Sequence, residues 1–209
     1  MERLIVLDTE TTGLDVDSGH KIIEIGCIEI INRNITGNSF HKYINPQRLI
    51  DEKAYEVHGI SNEDLRDKPI FASIIDEFIL YISDSPLIIH NAPFDLGFLK
   101  SEYVQCNHDK TSLDDSREII DTLKIARKAS PGKRNTLDAL CSRYSVDNTD
   151  RSLHGALLDA QLLANVYLRM TQGQTFIEGL TETQIHKNND ENTIIQNRKA
   201  KIIHANTQE

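Results

Sequence analysis

The feature that most constrains this chain is Leu4-Ile5-Val6-Leu7, a continuous apolar run ending in Asp8-Thr9-Glu10 and then Thr11-Thr12-Gly13. A short unbroken apolar run stopped by turn residues predicts a central strand buried on both faces. Side chains alternate along a strand, so Asp8 and Glu10 share one face. Two carboxylates side by side repel each other unless a cation lies between them, and burial raises that cost. Oxygen donors of this kind suit hard divalent cations such as Mg²⁺ or Mn²⁺. Taken alone, the pair reads as readily as two solvated acids at a turn.

The segments that follow build a sheet around this strand. Lys21 to Ile31 reads as a second strand, with Gly26 as a bulge, and Phe40 to Ile44 as a third, closed by Asn45-Pro46. Three consecutive strands predict a meander. Ser61-x-x-Asp64 has the pattern of a helix N-cap. Phe71, Ile74, Ile75, Phe78, Ile79 and Ile82 recur at helical spacing. Leu87-Ile88-Ile89 is another buried strand, and Asn91 is placed to cap a helix carrying Phe94, Phe98 and Leu99. Glu118 to Ile120 leads into a helix through Ala129, broken by Pro131-Gly132, with further helices over Asn135–Tyr144 and Gly155–Met170. Strands first in a meander and then alternating with helices predict an α/β domain: a mixed sheet, antiparallel and parallel, flanked by helices. That domain spans 1–172. Beyond it the periodicity decays, and 173–209 reads as a flexible tail that orders on a partner.

The formal net charge of -9 argues against holding nucleic acid by bulk electrostatics. A nucleic-acid enzyme with this balance needs bound cations, a local basic patch, or a partner that presents the polymer. Lys124, Arg127, Lys128, Lys133 and Arg134 supply such a patch, or simply a solvated helix face. The three cysteines Cys27, Cys106 and Cys141 are far apart and in no C-x-x-C pattern, which suits small buried hydrophobes in a reducing cytoplasm. With no bilayer-length apolar run and a strand starting at once after Met1-Glu2-Arg3, a cytoplasmic location is expected.

Three further residues carry chemistry. Asp95 falls in the first turn of its helix, where an acid is also common for dipole reasons alone. Asp159 lies between Leu158 and Ala160 inside a helix rich in Leu and Ala, where a core-facing Asp needs a partner, and a metal would be one. His154 stands five residues earlier at the helix start, with an ordinary pKa near ~6.5 that suits a general base, though a lone loop histidine needs no role.

Together these acids have a recognisable order. D-x-E (Asp8, Glu10), N-x-x-F-D (Asn91 to Asp95) and H-x-x-x-x-D (His154 to Asp159) resemble the three motifs of the DEDDh exonuclease superfamily. The stretches around Leu7–Gly13, His20–Gly26, Val57–Ile60, Pro131–Asn135 and Leu153–Ala160 are similar to the proofreading epsilon-subunit family of bacterial DNA polymerase III. The resemblance runs from residue 4 to about 172. It implies a ribonuclease-H-like fold and 3′→5′ hydrolysis with two divalent cations, Mg²⁺ or Mn²⁺, held by Asp8, Glu10, Asp95 and Asp159. It also implies that His154 is the general base and that His58, with Asp8, Glu10 and Asp159, contacts the substrate. The implied partners are a single-stranded 3′ end of DNA and a replicative polymerase catalytic subunit. The implied product is a nucleoside 5′-monophosphate, released preferentially from mispaired primer ends. Lys53 stands where some members carry an acidic substrate contact. Gln174-Thr175-Phe176-Ile177-Glu178-Gly179-Leu180 resembles a sliding-clamp motif but lacks its terminal aromatic, which implies weak clamp contact.

The alternatives are a DEDDh exoribonuclease of the oligoribonuclease or tRNA-trimming type, which shares these catalytic motifs, and a mainly structural polymerase subunit. Glu10 stands where a haloacid-dehalogenase phosphatase needs its second Asp. Gly132-Lys133 lacks the spacing and the following Ser/Thr of a P-loop.

Overall fold

The computed structural model describes residues 2–106, 117–149 and 151–172. Chain contacts divide the protein into Met1–Met170 and Thr171–Glu209. Of the second unit only Thr171 and Gln172 are described, so the expected tail and its Gln174–Leu180 motif lie outside the described residues.

The first unit is built on a five-stranded sheet. Strands β1 (Arg3–Thr11), β2 (Ile22–Ile31), β3 (Asn34–Tyr43), β4 (Leu87–Ile89) and β5 (Ile119–Asp121) lie in the order β3-β2-β1-β4-β5. β1 pairs antiparallel with β2 and β2 antiparallel with β3, whereas β4 runs parallel to β1 and β5 parallel to β4. This is the mixed sheet that the meander followed by alternating elements predicts.

Alternation along β1 sorts its side chains between two helical layers. Ile5 and Leu7 join an apolar cluster with Phe78 and Ile82 of α2 (Ile75–Ile82) and Phe98, Leu99 and Tyr103 of α3 (Ala92–Gln105). Leu4 and Val6 join a second cluster on the opposite face. There they meet Ala126 of α4 (Thr122–Ala129), Leu140 and Cys141 of α5 (Leu137–Arg143), and Leu163 and Val166 of α6 (Ala156–Met170). The sheet is therefore enclosed between helices on both sides, and β1 is central, as its apolar run requires.

Several local expectations change. Gly26 is not a bulge: it pairs regularly with Asp8 and His41, and the irregularities fall at Glu10/Thr11 and Ile28/Ile30. Its purpose is close approach, since a Cβ at Gly26 would lie 2.3 Å from the Ala156 carbonyl carbon of α6. Ser61 and Asp64 bond each other's backbone and side chain, but they close a turn rather than start a helix. The apolar repeat from Phe71 resolves into a single 3-10 turn, Phe71–Ser73, and then α2. β3 begins six residues earlier than its apolar end indicates, because its exposed first half is polar. A helix absent from the sequence reading, α1 (Glu52–His58), carries little apolar periodicity, and Tyr55 and Val57 are exposed. Among the described residues, no helix is long and apolar enough to cross a membrane.

Candidate active site

The acids gather at the C-terminal end of β1. Because β4 lies beside β1 in parallel, the helix that follows β4 begins at that same edge. Asp8 and Glu10 share the parity of Leu4 and Val6, so they face the α5–α6 layer. Thr9 points the other way and donates from Oγ1 to Asp95 Oδ1 at 2.7 Å, fixing the first turn of α3 against β1. Asn91 precedes that helix in the left-handed region at φ 68° and makes no side-chain cap, so it turns the chain rather than capping it.

From the opposite layer comes Asp159. It lies in the first turn of α6, not deeper inside the helix as its Leu and Ala neighbours indicate. The start of α6 is held by β2: Glu24, buried, accepts hydrogen bonds from the Ala156 N–H at Oε2 (3.1 Å) and from His41 Nε2 at Oε1 (2.7 Å). Glu24 pairs across the strands with Glu10, and Gly26 with Asp8. The acids of β1 and the helix bearing Asp159 thus share one support.

Asp8, Glu10, Asp95, Asp159 and His154 line a single open cavity of about 670 Å³. Asp95 and Asp159 are each 3% exposed, and Glu10 9%. Massed burial of like charges raises their affinity for protons. Asp8 is driven well above the carboxylate range by burial, then by Asp95, Glu10 and Asp159. Glu10 is pushed up to about 8 by burial and then by Asp159 and Glu24. Burial takes Asp95 to about 7 against the opposing Thr9 hydrogen bond. A carboxylate set that so resists carrying its charge alone, with oxygen donors and the His154 imidazole close by, fits a hard divalent cation. Glu10, His154 and Asp159 already place ligand atoms within 4.8 Å of one another. Asp8 and Asp95 line the same cavity without joining that tight group.

His154, largely exposed, precedes α6 on a loop that its backbone N–H ties to Val57 O of α1 at 3.1 Å. Burial and then the neighbouring Arg151 charge lower its pKa, which favours the neutral imidazole a base requires. His58, at the end of α1, lies apart from this cavity and lines a neighbouring one with Tyr43, Ile60, Asp64 and Lys68. Its Nδ1 accepts the Ile60 N–H at 3.0 Å, while its Nε2 is buried without a hydrogen-bond partner among the described residues. The basic stretch divides: Arg127, Lys133 and Arg134 line the acidic cavity, and Lys124 instead approaches Asp121 at 3.9 Å.

Sequence reasoning missed Arg151. Its guanidinium donates from Nε to Asp159 Oδ1 (2.5 Å), from Nη2 to Asp159 Oδ2 (2.6 Å) and from Nη1 to Asp138 Oδ1 (2.7 Å). The signal was present but unused: a buried helical Asp needs a counter-ion, and Arg151 stands three residues before His154.

The exonuclease family profile matches residues 5–167. The chain is 50% identical over 215 residues to the DNA polymerase III subunit epsilon of Salmonella typhimurium, covering 99% of this chain and 88% of that one. Its counterpart in Escherichia coli is 49% identical with the same coverage, and that of Rickettsia felis 48% identical, covering 99% and 91%. Among solved structures, Exonuclease X in complex with 5′ overhanging duplex DNA superposes with a TM-score of 0.64 at 26% identity, covering 81% of this chain and 92% of that one. The nuclease domain of 3′hExo, a DEDDh family member, shares the fold with a TM-score of 0.71 at 16% identity, covering 82% and 92%. By these matches the chain belongs to the exonuclease family and, within it, to the DNA polymerase III epsilon subunits.

Proposed function

We propose that this chain is a divalent-metal-dependent 3′→5′ DNA exonuclease that removes mispaired 3′-terminal nucleotides for DNA polymerase III, releasing nucleoside 5′-monophosphates. The observation that carries the reading is the convergence of Asp8, Glu10, Asp95, Asp159 and His154 on one cavity, from both helical layers.

Asp8, Glu10, Asp95 and Asp159 would hold two cations, Mg²⁺ or Mn²⁺. When bound, the cations supply the positive charge that activates a water and stabilises the departing 3′ oxygen. His154 takes the proton of the attacking water, and its place on a loop at the cavity mouth lets it reach the terminal phosphodiester. Arg127, Lys133 and Arg134 receive the phosphates of the strand, which gives an otherwise acidic protein a local track. His58 would contact the terminal nucleotide from the separate cavity that it lines with Tyr43 and Lys68. A site that admits one strand selects frayed ends, because unpairing a mismatch costs less than unpairing a match. Residues 1–172 would form the exonuclease domain. Residues 173–209 would attach the polymerase catalytic subunit and, weakly, the sliding clamp through Gln174–Leu180. The setting is cytoplasmic.

Purified protein with 3′-labelled DNA and RNA strands of the same sequence tests the substrate. The expected result is Mg²⁺- or Mn²⁺-dependent loss of the DNA label, faster than that of the RNA. Preference for RNA would assign the chain to the exoribonuclease branch of the superfamily.

A further inference from the structure

Arg151 and Asp159 form a buried pair, each side chain 5% exposed. The guanidinium spans both oxygens of the carboxylate in the bidentate geometry that only arginine provides. The same Nη2 also donates to His154 Nδ1 at 2.9 Å. Arg151 therefore engages two of the three side chains, Asp159 and His154, whose ligand atoms cluster at metal-binding separation with Glu10. A divalent cation and the guanidinium claim the same oxygens and the same nitrogen, and two like charges do not share them.

We propose that Arg151 is a latch on the metal site: it competes with the catalytic cation for Asp159 and must release that carboxylate for the active state to form. The latch also bears on the base. Because Arg151 donates to Nδ1, a neutral His154 carries its proton on Nε2, and neither ring nitrogen is then free to accept one from water. Release of the guanidinium frees Asp159 and His154 in one motion, so metal loading and base activation are coupled. Asp138, half-exposed at the cavity wall, holds Nη1 and gives the displaced guanidinium a remaining anchor. Competition of this kind is a negative coupling between two cations for one anion, and such couplings are commonly worth about 5- to 150-fold in affinity. The proposal rests on the metal-dependent reading above.

The test is Mn²⁺ affinity, read by calorimetry and by electron paramagnetic resonance on the full chain without DNA. Arg151→Gln should bind Mn²⁺ at least about fivefold tighter than wild type. Arg151→Lys keeps the charge but cannot bridge both oxygens, so it too should bind tighter. In the wild type, the Arg151 Nε–H resonance should lose its hydrogen-bonded shift as diamagnetic Mg²⁺ is added. Weaker binding in either variant would mean that Arg151 positions Asp159 for the metal, and would overturn the latch. Tighter binding in Arg151→Gln with unchanged binding in Arg151→Lys would reduce it to long-range charge and overturn it equally. Should Arg151→Gln fail to fold, Arg151→Lys and the resonance decide. Absence of Mn²⁺ binding to the wild type, by contrast, would strike the metal-dependent function itself.

Discussion

At the scale of single residues, the site separates groups that hold from the group that reacts. The His154 backbone is tied to Val57 of α1, and its ring lines the cavity beside Arg151 and Asp159. His154→Ala should therefore lose roughly 10²- to 10⁴-fold in turnover while still binding Mn²⁺; near wild-type turnover would remove it as the base. Asp159→Ala should lose both activity and metal. It also strips a buried guanidinium of its bidentate partner, at a cost of about 3–5 kcal/mol in folding stability, readable by thermal melting with and without Mn²⁺. The acids make a second prediction, about pH. Glu10 and Asp95 bind protons more tightly folded than unfolded, with pKa values of about 8 and about 7 against ordinary values of 4.5 and 3.8. For carboxyls raised in this way, the contribution to stability is fully present below the unfolded values and is lost as pH rises through the folded ones. Metal-stripped protein should thus show a falling Tm from about pH 5 to about pH 8.5, and saturating Mn²⁺ should flatten the fall. A Tm that is level or rising across that window without metal would show that the carboxylates are not charge-frustrated.

At the scale of elements, the start of α6 is held against β2 by the Glu24 carboxylate and the close approach at Gly26. A methyl group at Gly26 would meet the α6 backbone at 2.3 Å, and backbone cannot rotate away. Gly26→Ala should cost about 1–3 kcal/mol and lower activity by shifting Asp159 away from β1; chemical denaturation and exonuclease turnover would register both, and a variant as stable and active as wild type would refute the close packing. This is also where the limits of sequence reading lie. The central strand, the meander and the apolar face of α6 were legible because burial on both faces leaves unbroken apolar runs in Leu4–Leu7 and much of Ile22–Ile31, and burial on one face leaves helical spacing in Leu162–Val166. The metal-ligating candidates were legible because Asp8, Glu10, Asp95 and the His154–Asp159 pair fall in one recognisable order, although each alone reads as an ordinary turn or first-turn acid. Helix α1 was not, since its exposed Tyr55 and Val57 leave no apolar stripe. Ser61–Asp64 misled, because the same side-chain-to-backbone bonds that start a helix also close a turn. Gly26 was read from strand geometry alone, whereas its reason lies in an element 130 residues further along. Arg151 escaped because a loop has no period from which a buried charge stands out.

At the scale of the whole molecule, two helical layers deliver their acids to the C-terminal end of the central strand. Asp95 arrives from the α2–α3 side, and Asp159 from the α4–α6 side, across a strand that supplies Asp8 and Glu10 between them. The net charge of -9 is offset where it matters, by Arg127, Lys133 and Arg134 beside the acidic cavity and by the cations the carboxylates call for. A protein balanced in this way is expected to hold DNA weakly by itself, a prediction that fits presentation of the primer by a polymerase. Replacing Lys133 and Arg134 together by Ala should raise KM for a single-stranded substrate several-fold, as loss of phosphate contacts does, with kcat little changed; an unaltered KM would return this stretch to a solvated surface. The central claim is that this cavity edits DNA ends with divalent metal. Its most direct measurement is the rate of 5′-monophosphate release from a primer with a mispaired 3′ terminus, set against the same primer fully paired, with Mg²⁺ and with a chelator. The account predicts faster release from the mispaired end, abolished by the chelator and by Asp8→Ala. Equal rates on both primers, or release that survives the chelator, would contradict it.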